Sequence, residues 1–328
     1  MSARNRRDVM AIGVSAMASG FGMGLMRKSH EVRMLRDKPG AKAPVAIVRA
    51  ASYSAGLTRQ ILDGIRACGL QVRGKRILLK PNLVEFDQDT VINTDVAVVA
   101  AAFDAFSSLG AADVRIGEGP GHRRDTYGLA EQSGYRGSLT RFDNYFVDLN
   151  RDDVSPVEKF FGETEIYLPN SALRADLVVS MPKMKTHHWA GATLSMKNFF
   201  GLVPGAVYGW PKNTLHQFGI ARSIIELNRV FSKTFAIVDG IVGMEGNGPI
   251  QGTPKPAGVL VMGADLRAVD ATCCRLMGID PARIAYIEGS AHLGKATENG
   301  IDLRGERLSD VRTPFGLIQD MADLRLEA

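Results

Sequence analysis

The sequence contains little cysteine, no long apolar run and only a small charge excess, and each shortage excludes a class of protein. Its 328 residues include three cysteines: Cys68, Cys273 and Cys274. Two of them are adjacent, so neither a disulfide framework nor a cysteine-ligated zinc or iron–sulfur centre is expected. No stretch reaches the roughly 20 apolar residues that span a bilayer, so no stable membrane span is expected in the mature body. A net charge of +5 is too mild to indicate a nucleic-acid partner.

Acidic residues are missing from one long segment. Residues 177–225 contain no Asp or Glu, although 35 acids in 328 residues would place about five in a segment of that length. The same segment holds five basic residues and three of the six histidines: Lys183, Lys185, Lys197, Lys212, Arg222, His187, His188 and His216. A solvated basic face is one interpretation. The other is a binding site for an anion, since protein surfaces normally mix both signs of charge.

The first 30 residues have the composition of an export signal. Arg6 and Arg7 precede a weakly apolar, Gly- and Ala-rich run that extends to Met26, as in twin-arginine signals. The pair Val9-Met10 departs from the usual aromatic-Leu pair, and an amphipathic N-terminal helix is the alternative. The sequence therefore predicts a protein that engages the export machinery and is periplasmic or otherwise extracytoplasmic.

Strand-like and helical patterns alternate through the remaining residues, 31–328. Strands are predicted at 45–49, 75–80, 113–117, 145–149, 164–168, 176–181, 234–239 and 257–263, and helices at 56–69, 94–109, 220–231 and 265–277. Thr94 is predicted to cap the second helix. The alternation predicts an α/β fold, with a mainly parallel sheet and helices on both faces. The acidic stretch 143–165 is either an insertion or a boundary between two lobes.

Polar side chains follow several of the predicted strands. Lys80, Glu118, Lys183 and Asp239 each lie where a strand ends, and glycines flank two of these ends. Ligands of open α/β sheets bind outside the carboxyl ends of the strands. We therefore expect these four residues at one edge of the sheet, near a shared cleft. The sequence contains neither the glycine spacing of a dinucleotide-binding turn nor a P-loop.

Four runs of sequence carry a resemblance to a known family. They are MPKMKTHHWAGATLSMKNFFGLVPG (181–205), KPNLV (80–84), IVDGIVGMEGNGPIQG (237–252) and ADLRAVDATCCRLMGIDP (264–281). Together they resemble the DUF-362 family, a domain of unknown function, over roughly residues 45–295. The resemblance implies no particular chemistry. Some relatives carry a ferredoxin-like segment with cysteine clusters, which this sequence lacks, so no ferredoxin-type iron–sulfur motif is implied.

The predicted site combines three groups of residues. The predicted catalytic residues are His187 and Lys185, either of which would move a proton. The substrate is predicted to be held by Lys80, Asn82, Lys183, Lys197 and Asn198. A divalent metal of unknown identity is predicted to be held by Asp239, Glu245, Asp270 and His216. Lys183 and Lys185 are expected to be unpaired, so that replacing either with methionine would leave stability unchanged or raise it.

The function predicted from these residues is that of an exported enzyme for a small anionic substrate, a carboxylate or a phosphate, assisted by the metal. A carrier module would use the same lysines to bind an anion or a metal without catalysis. A redox or cofactor-maturation protein is a further alternative, which the export signal and the family suggest.

Overall fold

The computed structural model describes residues 34–123 and 125–327, and the predicted export signal lies outside them. These residues form twelve strands: β1 (Ala43–Arg49), β2 (Arg76–Pro81), β3 (Asp113–Glu118), β4 (Phe146–Asp148), β5 (Val154–Phe160), β6 (Thr164–Pro169), β7 (Leu177–Met181), β8 (Lys183–His187), β9 (Gly191–Thr193), β10 (Thr234–Glu245), β11 (Thr253–Gly263) and β12 (Ile301–Gly305). The α-helical segments are α1 (Leu57–Ala67), α2 (Val96–Ser108), α3 (Thr126–Gln132), α4 (Tyr135–Ser138), α5 (Phe142–Tyr145), α6 (Asn170–Leu173), α7 (Gly205–Tyr208), α8 (Asn213–Gln217), α9 (Ile220–Val230), α10 (Leu266–Leu276), α11 (Ala285–Glu288) and α12 (Leu308–Val311).

Ten of the strands form one mixed sheet that is mostly parallel, which confirms the predicted α/β class. Its order is β12-β1-β11-β10-β7-β2-β3-β4, with β8 and β9 attached to β10. Strands β10, β7, β2, β3 and β4 are parallel neighbours, so their carboxyl ends lie at one edge. The prediction missed that β11 runs antiparallel between β1 and β10. A local apolar pattern carries no information about strand direction.

Helices cover both faces of this sheet, as the alternation predicts. Ile77 and Leu79 of β2 pack in the core that contains the apolar side of α2, whereas Leu78 packs in the core that contains α9 and α10. The period of two in a strand separates these side chains. From the β2–β7 pair, the chain leaves over one face through α2 and over the other through α9. This arrangement is the topological switch point at which open α/β sheets bind ligands.

The turn before α2 differs from the prediction and ties two strand ends together. Asp95, not Thr94, caps the helix, because its carboxylate accepts a hydrogen bond from Ala97 N at 2.8 Å. The Thr94 hydroxyl accepts from Asn82 N at 2.9 Å and donates to Met181 O at 2.6 Å. Thr94 therefore links the chain after β2 to the end of β7.

A bend at Pro182 carries the chain from β7 into β8 without leaving β10. Strand β10 pairs in parallel with β7 through Ala236 and then with β8 from Asp239 onward, and Asp239 N donates to Pro182 O at 2.9 Å. Proline can occupy this position because the sheet needs no hydrogen from its nitrogen there. The bend places Lys183 opposite Asp239 in the register of the sheet.

The acidic stretch 143–165 contributes to a small hairpin rather than to a second core. Strands β5 and β6 form a separate two-stranded sheet. Its apolar residues Phe160, Ile166 and Leu168 are buried in the same core as α9 and α10. None of the helices that the structure describes is long and apolar enough to cross a membrane.

Candidate functional site

Two buried ion pairs lie at the carboxyl edge of the parallel strands. Lys80 at the end of β2 pairs with Glu118 at the end of β3, and Lys183 of β8 pairs with Asp239 of β10 at 2.6 Å. All four side chains are at most 2% exposed. The predicted placement of these residues at one edge is thus confirmed. Among the four, only Glu118 lines the cavity described below.

The expectation that Lys183 is unpaired is wrong. Its ammonium group donates to Asp239 Oδ2 and also to the hydroxyl of Tyr53 at 2.8 Å. Tyr53 in turn donates to the other oxygen of Asp239 at 3.0 Å. Burial, followed by the negative charge of Asp239, raises the pKa of Tyr53 far above its usual range, so the phenol stays protonated. Lys183 is therefore part of a closed hydrogen-bond network in which Asp239 already neutralises its charge.

The Lys80–Glu118 pair is held in place by hydrogen bonds to neighbouring residues. Besides Glu118, Lys80 Nζ donates to Asn198 Oδ1 at 3.1 Å, and Asn198 Nδ2 donates back to Lys80 O at 2.9 Å. Burial lowers the pKa of Lys80, and the adjacent Glu118 opposes that effect. A Cβ on Gly201 would lie 2.5 Å from both Lys80 Nζ and Glu118 Oε1, so only glycine allows this approach. The Lys-Asn-x-x-Gly run therefore packs directly on the pair.

A cavity of about 360 Å³ opens beside this pair, at the predicted edge of the sheet. Its walls come from segments 82–84 after β2, 118–122 after β3, 185–193 in β8 and β9, 197–201, 211–216 and 247–251 after β10. The lining includes three lysines and four histidines: Lys185, Lys197, Lys212, His122, His187, His188 and His216. Within the described lining, Glu118 is the one carboxylate, and Lys80 already pairs with it.

The three lysines of the cavity have no carboxylate partner among the residues that the structure describes. Lys185 Nζ instead donates to the carbonyl oxygens of Ile92 at 2.8 Å and Pro249 at 3.2 Å. Lys212 Nζ donates to Gly119 O. Lys197 Nζ lies 4.9 Å from the centre of the Phe200 ring. For Lys185, the expectation of an unpaired charge therefore agrees with the structure.

Burial and mutual repulsion hold the pKa values of these lysines below their ordinary range. Burial lowers the pKa of Lys197 to about 8, and the charge of Lys80 adds to the effect. Burial also lowers the pKa of Lys212 to about 7, against the attraction of Glu118. Burial, Lys197 and Lys183 together lower the pKa of Lys185. A bound anion would relieve this repulsion and favour the charged forms.

The imidazole of His187 is fixed as a neutral hydrogen-bond donor. Its Nδ1 accepts from the backbone N–H groups of Trp189 at 3.1 Å and Ala190 at 3.2 Å, so its proton lies on Nε2. Burial, followed by the charge of Lys197, lowers the pKa of His187 far below its usual range. The ring is therefore suited to donate a hydrogen bond to a ligand oxygen, whereas the prediction had either His187 or Lys185 move a proton. His216, more exposed at the rim, packs against Phe200 and Trp189.

Three polar atoms of the lining residues are buried without a hydrogen-bond partner in the described structure. They are Asn82 Oδ1, Glu118 Oε2 and Thr193 Oγ1. Buried polar atoms in proteins are almost always paired, so such atoms at a cavity are available to bind a ligand or water. The two acceptor oxygens require a donor, such as a hydroxyl or an N–H group, in addition to the negative charge that the lysines require.

The structure does not bring the four predicted metal ligands together. Asp239 is held by Lys183, and Glu245 accepts from Gly316 N at 2.7 Å and lies 3.4 Å from Lys255. His216 lies at the cavity, and Asp270 lies in the core. No group of three or more His, Cys, Asp or Glu side chains within residues 34–123 and 125–327 is placed to share a metal ion.

Asp270 instead fixes the segment that carries Lys197. Its carboxylate accepts hydrogen bonds from Ser195 N at 2.8 Å, Met196 N at 3.1 Å and the Ser195 hydroxyl. The next residue, Lys197, begins the 3-10 helix that extends to Leu202. Burial outweighs these hydrogen bonds and raises the pKa of Asp270 to about 7. Asp270 is thus a positioning residue that lies behind the site.

Sequence reasoning left some of the cavity residues out of the predicted site. Lys212 stands in the acid-free segment, and that segment was the available signal for it. His122 follows the glycine-rich turn after β3, whereas nothing in the local pattern singles out Thr193 or Trp189. Conversely, the predicted substrate residues Lys80 and Lys183 are held by carboxylates. Asn82, Lys197 and Asn198 do line the cavity.

Comparison with known proteins identifies relatives of the chain. The family described as domain of unknown function (DUF362) matches residues 77–275. The thylakoid-associated protein sll1697 of Synechocystis sp. (strain ATCC 27184 / PCC 6803 / Kazusa) is 30% identical over 260 residues, which are 76% of this chain and 79% of that protein.

Two solved structures match part of this chain at low sequence identity. The lactate racemase apoprotein from Thermoanaerobacterium thermosaccharolyticum is 12% identical with a TM-score of 0.47, and the match covers 73% of this chain and 57% of that one. A protein from Thermotoga maritima is 14% identical with a TM-score of 0.41, and the match covers 66% of this chain and 58% of that one. The chain thus spans less than two thirds of the length of either.

Proposed function

Because the chain belongs to the DUF362 family, a domain of unknown function, we propose its function from the cavity itself. The protein is an enzyme whose active site takes a small carboxylate or phosphate ion that also carries a hydroxyl or N–H group. The observation that supports this proposal is the lining: three lysines without a carboxylate partner among the described residues, beside one carboxylate that Lys80 already neutralises. Clustered lysines are a frequent solution for binding phosphate and carboxylate.

Each group at the cavity has a role in this proposal. Lys185, fixed by two carbonyl oxygens, holds the anion. His187 donates its Nε2 hydrogen to a ligand oxygen, which stabilises negative charge that develops there. Lys197 and Lys212, with pKa values of about 8 and about 7, are the groups that exchange a proton near neutral pH. The unpaired oxygens of Asn82 and Glu118 accept the hydroxyl or N–H hydrogen.

Lys185→Met is expected to weaken the binding of a small anion about tenfold to hundredfold, because one charged hydrogen bond contributes about 1.5–3 kcal/mol. Isothermal titration with glycerate and with glycerol 3-phosphate measures the dissociation constants. Lys233→Met, at an exposed lysine outside the cavity, is the matched control and should bind as the wild type does. Equal affinity in the wild type and in Lys185→Met would contradict the proposed site.

The pH dependence of the same titration provides an independent check. An anion stabilises the charged lysines, so affinity should be highest below the pKa values of Lys212 and Lys197 and should fall as the pH rises through about 7 and 8. The charged and titratable groups that face these two lysines are Lys80, Lys185, Glu118, Asp148, His187 and His216.

Catalysis separates the enzyme from the carrier alternative. Proton NMR in deuterated water follows exchange of the C–H hydrogen next to the carboxylate or carbonyl of small hydroxy acids and oxo acids. An enzyme that moves a proton exchanges this hydrogen, and the exchange falls in Lys197→Met. Binding without exchange of any such hydrogen would favour the carrier.

The place of action is part of the proposal. We infer export from Arg6-Arg7 and the weakly apolar run that follows, and a relative whose name describes it as thylakoid-associated is compatible with a location at a membrane. Replacing both arginines with lysine is expected to leave the protein in the cytoplasm, since twin-arginine export depends on that pair. Fractionation with antibody detection measures the distribution, with Arg4→Lys as the control. Unchanged export in the double variant would remove this claim, and a membrane-bound product would mean that the signal is retained.

A further inference from the structure

We propose that Lys197 is a nucleophile that forms a covalent bond to the carbonyl carbon of a small anionic substrate. The inference rests on the proposed function and narrows its substrate class to compounds that contain an anionic group, a hydroxyl and a carbonyl. The three lysines of the cavity differ in whether their nitrogens donate to an acceptor.

Lys197 is the cavity lysine whose nitrogen has no acceptor in the described part of the chain. The nitrogens of Lys185 and Lys212 are each held by backbone carbonyl oxygens. The nitrogen of Lys197 lies over the Phe200 ring, and its side chain lines the cavity. Donor bonds to backbone carbonyls favour the ammonium form and fix the nitrogen in place, whereas a nitrogen without them can turn its lone pair toward a carbon. Lys185 and Lys212 are therefore suited to hold a ligand, and Lys197 is suited to react with it.

The surroundings of Lys197 also favour its neutral, reactive form. Burial and the nearby charge of Lys80 lower its pKa to about 8, as cationic neighbours do for Schiff-base lysines. An exposed lysine titrates near 10.4, so at pH 7–8 the neutral fraction of Lys197 is on the order of a hundredfold larger. Hydrogen bonds to Glu118 and Asn198 hold the charged group of Lys80 in place.

The neighbours of Lys197 supply what such a reaction requires. Lys185 and Lys212 hold the carboxylate or phosphate, and His187 can donate Nε2–H to the carbonyl oxygen. The hydroxyl of the addition product provides the donor that the unpaired oxygens of Asn82 and Glu118 lack. The cavity thus contains partners for the anion, for the carbonyl and for the tetrahedral product.

The step balances without an oxidant or a metal. The lone pair of the neutral Lys197 amine forms a C–N bond while the C=O π electrons move to oxygen, and a proton passes from nitrogen to that oxygen to give a carbinolamine. Uptake of one solvent proton then releases the oxygen as water and leaves an iminium ion. In the assay, borohydride supplies a hydride to the iminium carbon and makes the bond permanent.

The experiment uses two pairs of probes that differ only at one carbon. Hydroxypyruvate and dihydroxyacetone phosphate carry the carbonyl, whereas glycerate and glycerol 3-phosphate carry an alcohol in its place. The full-length protein is incubated with each probe and borohydride, digested and mapped by mass spectrometry. The carbonyl probes are expected to add one reduced probe to the peptide that contains Lys197, at least about tenfold faster than to exposed lysines such as Lys233. Glycerate should slow this labelling.

The outcomes distinguish this inference from the proposed function. If glycerate binds by titration and Lys197 labels no faster than Lys233, Lys197 is not a nucleophile, although the anion site stands. If glycerate and glycerol 3-phosphate do not bind and no cavity lysine is labelled, both proposals fail. Lys197→Arg should lose the adduct and still bind glycerate, whereas Lys233→Met should keep the adduct. The peptide map of the wild type decides the question even if the Lys197 variant does not fold.

Discussion

Replacing Lys183 with methionine is expected to lower the free energy of unfolding by about 3–5 kcal/mol, because it leaves Asp239 charged and buried without its cation. Asp239 is fully buried and accepts hydrogen bonds from Lys183, Tyr53 and the backbone N–H of Asp95. The last of these bonds ties the start of α2 to the middle of β10. Urea denaturation followed by circular dichroism measures the change.

A neighbouring lysine supplies the control for this experiment. Lys185 is equally buried and two residues away, but it donates to backbone carbonyls and has no carboxylate partner among the described residues. Relief of desolvation and repulsion offsets the lost hydrogen bonds, so Lys185→Met should change stability by no more than about 1 kcal/mol. The double variant Lys183→Met/Asp239→Leu should recover much of the loss, since it removes both buried charges. Equal stability of Lys183→Met and the wild type would show that the pair does not contribute.

Asp270→Ala is expected to cost about 3–4 kcal/mol and to weaken anion binding as well. The substitution leaves Ser195 N and Met196 N buried without an acceptor, and each such loss costs about 1–3 kcal/mol. Ser195 and Met196 directly precede the 3-10 helix that begins at Lys197. The substitution should therefore make this wall of the cavity less ordered, as well as the core. Denaturation and titration with glycerate measure the two effects. Asp265→Ala, at the cap of α10, also removes two acceptor bonds, from Ala268 N and Lys295 N, and should cost a comparable amount of stability without weakening the binding of glycerate, because Asp265 lies outside the cavity.

The stability of the protein should also depend on pH through Asp270. Its pKa in the folded protein is raised to about 7, whereas an unfolded aspartate titrates near 3.9. The folded state therefore binds more protons between these values, and the contribution is full below about pH 4 and lost as the pH rises through about 7. In Asp270→Asn, which cannot titrate, this part of the pH dependence should disappear. An unchanged stability profile in that variant would assign the dependence to another group.

Local sequence patterns were sufficient for the elements that carry their own signal. Leu57, Ile61 and Ile65 recur at helical spacing and form the buried side of α1. The direction of β11 and the extension of β7 into β8 were not predictable, since they depend on pairing with β10.

The sequence by itself determined the fold class and the edge of the sheet at which the charged residues lie. The alternating patterns require a sheet covered on both faces, and charged residues that follow several parallel strands must meet at one edge. The acid-free segment 177–225 determined that three lysines of this edge lack local partners. Those features depend on residue order alone, because hydrophobic periodicity and the succession of strands and helices follow directly from the order of residues along the chain.

Only the tertiary structure decided which lysine pairs with a carboxylate and which does not. Lys183 and Lys185 are two residues apart on one strand, yet Asp239 neutralises the first, which also donates to Tyr53, while carbonyl oxygens from distant turns hold the second. Asp270, expected at a metal, instead lies behind the site as the acceptor for Ser195 and Met196. The physical reason is that an ion pair forms only when its two charged groups lie within about 4 Å of each other. Partners at that distance come from residues far apart in the chain, and only the folded arrangement of the strands brings them together.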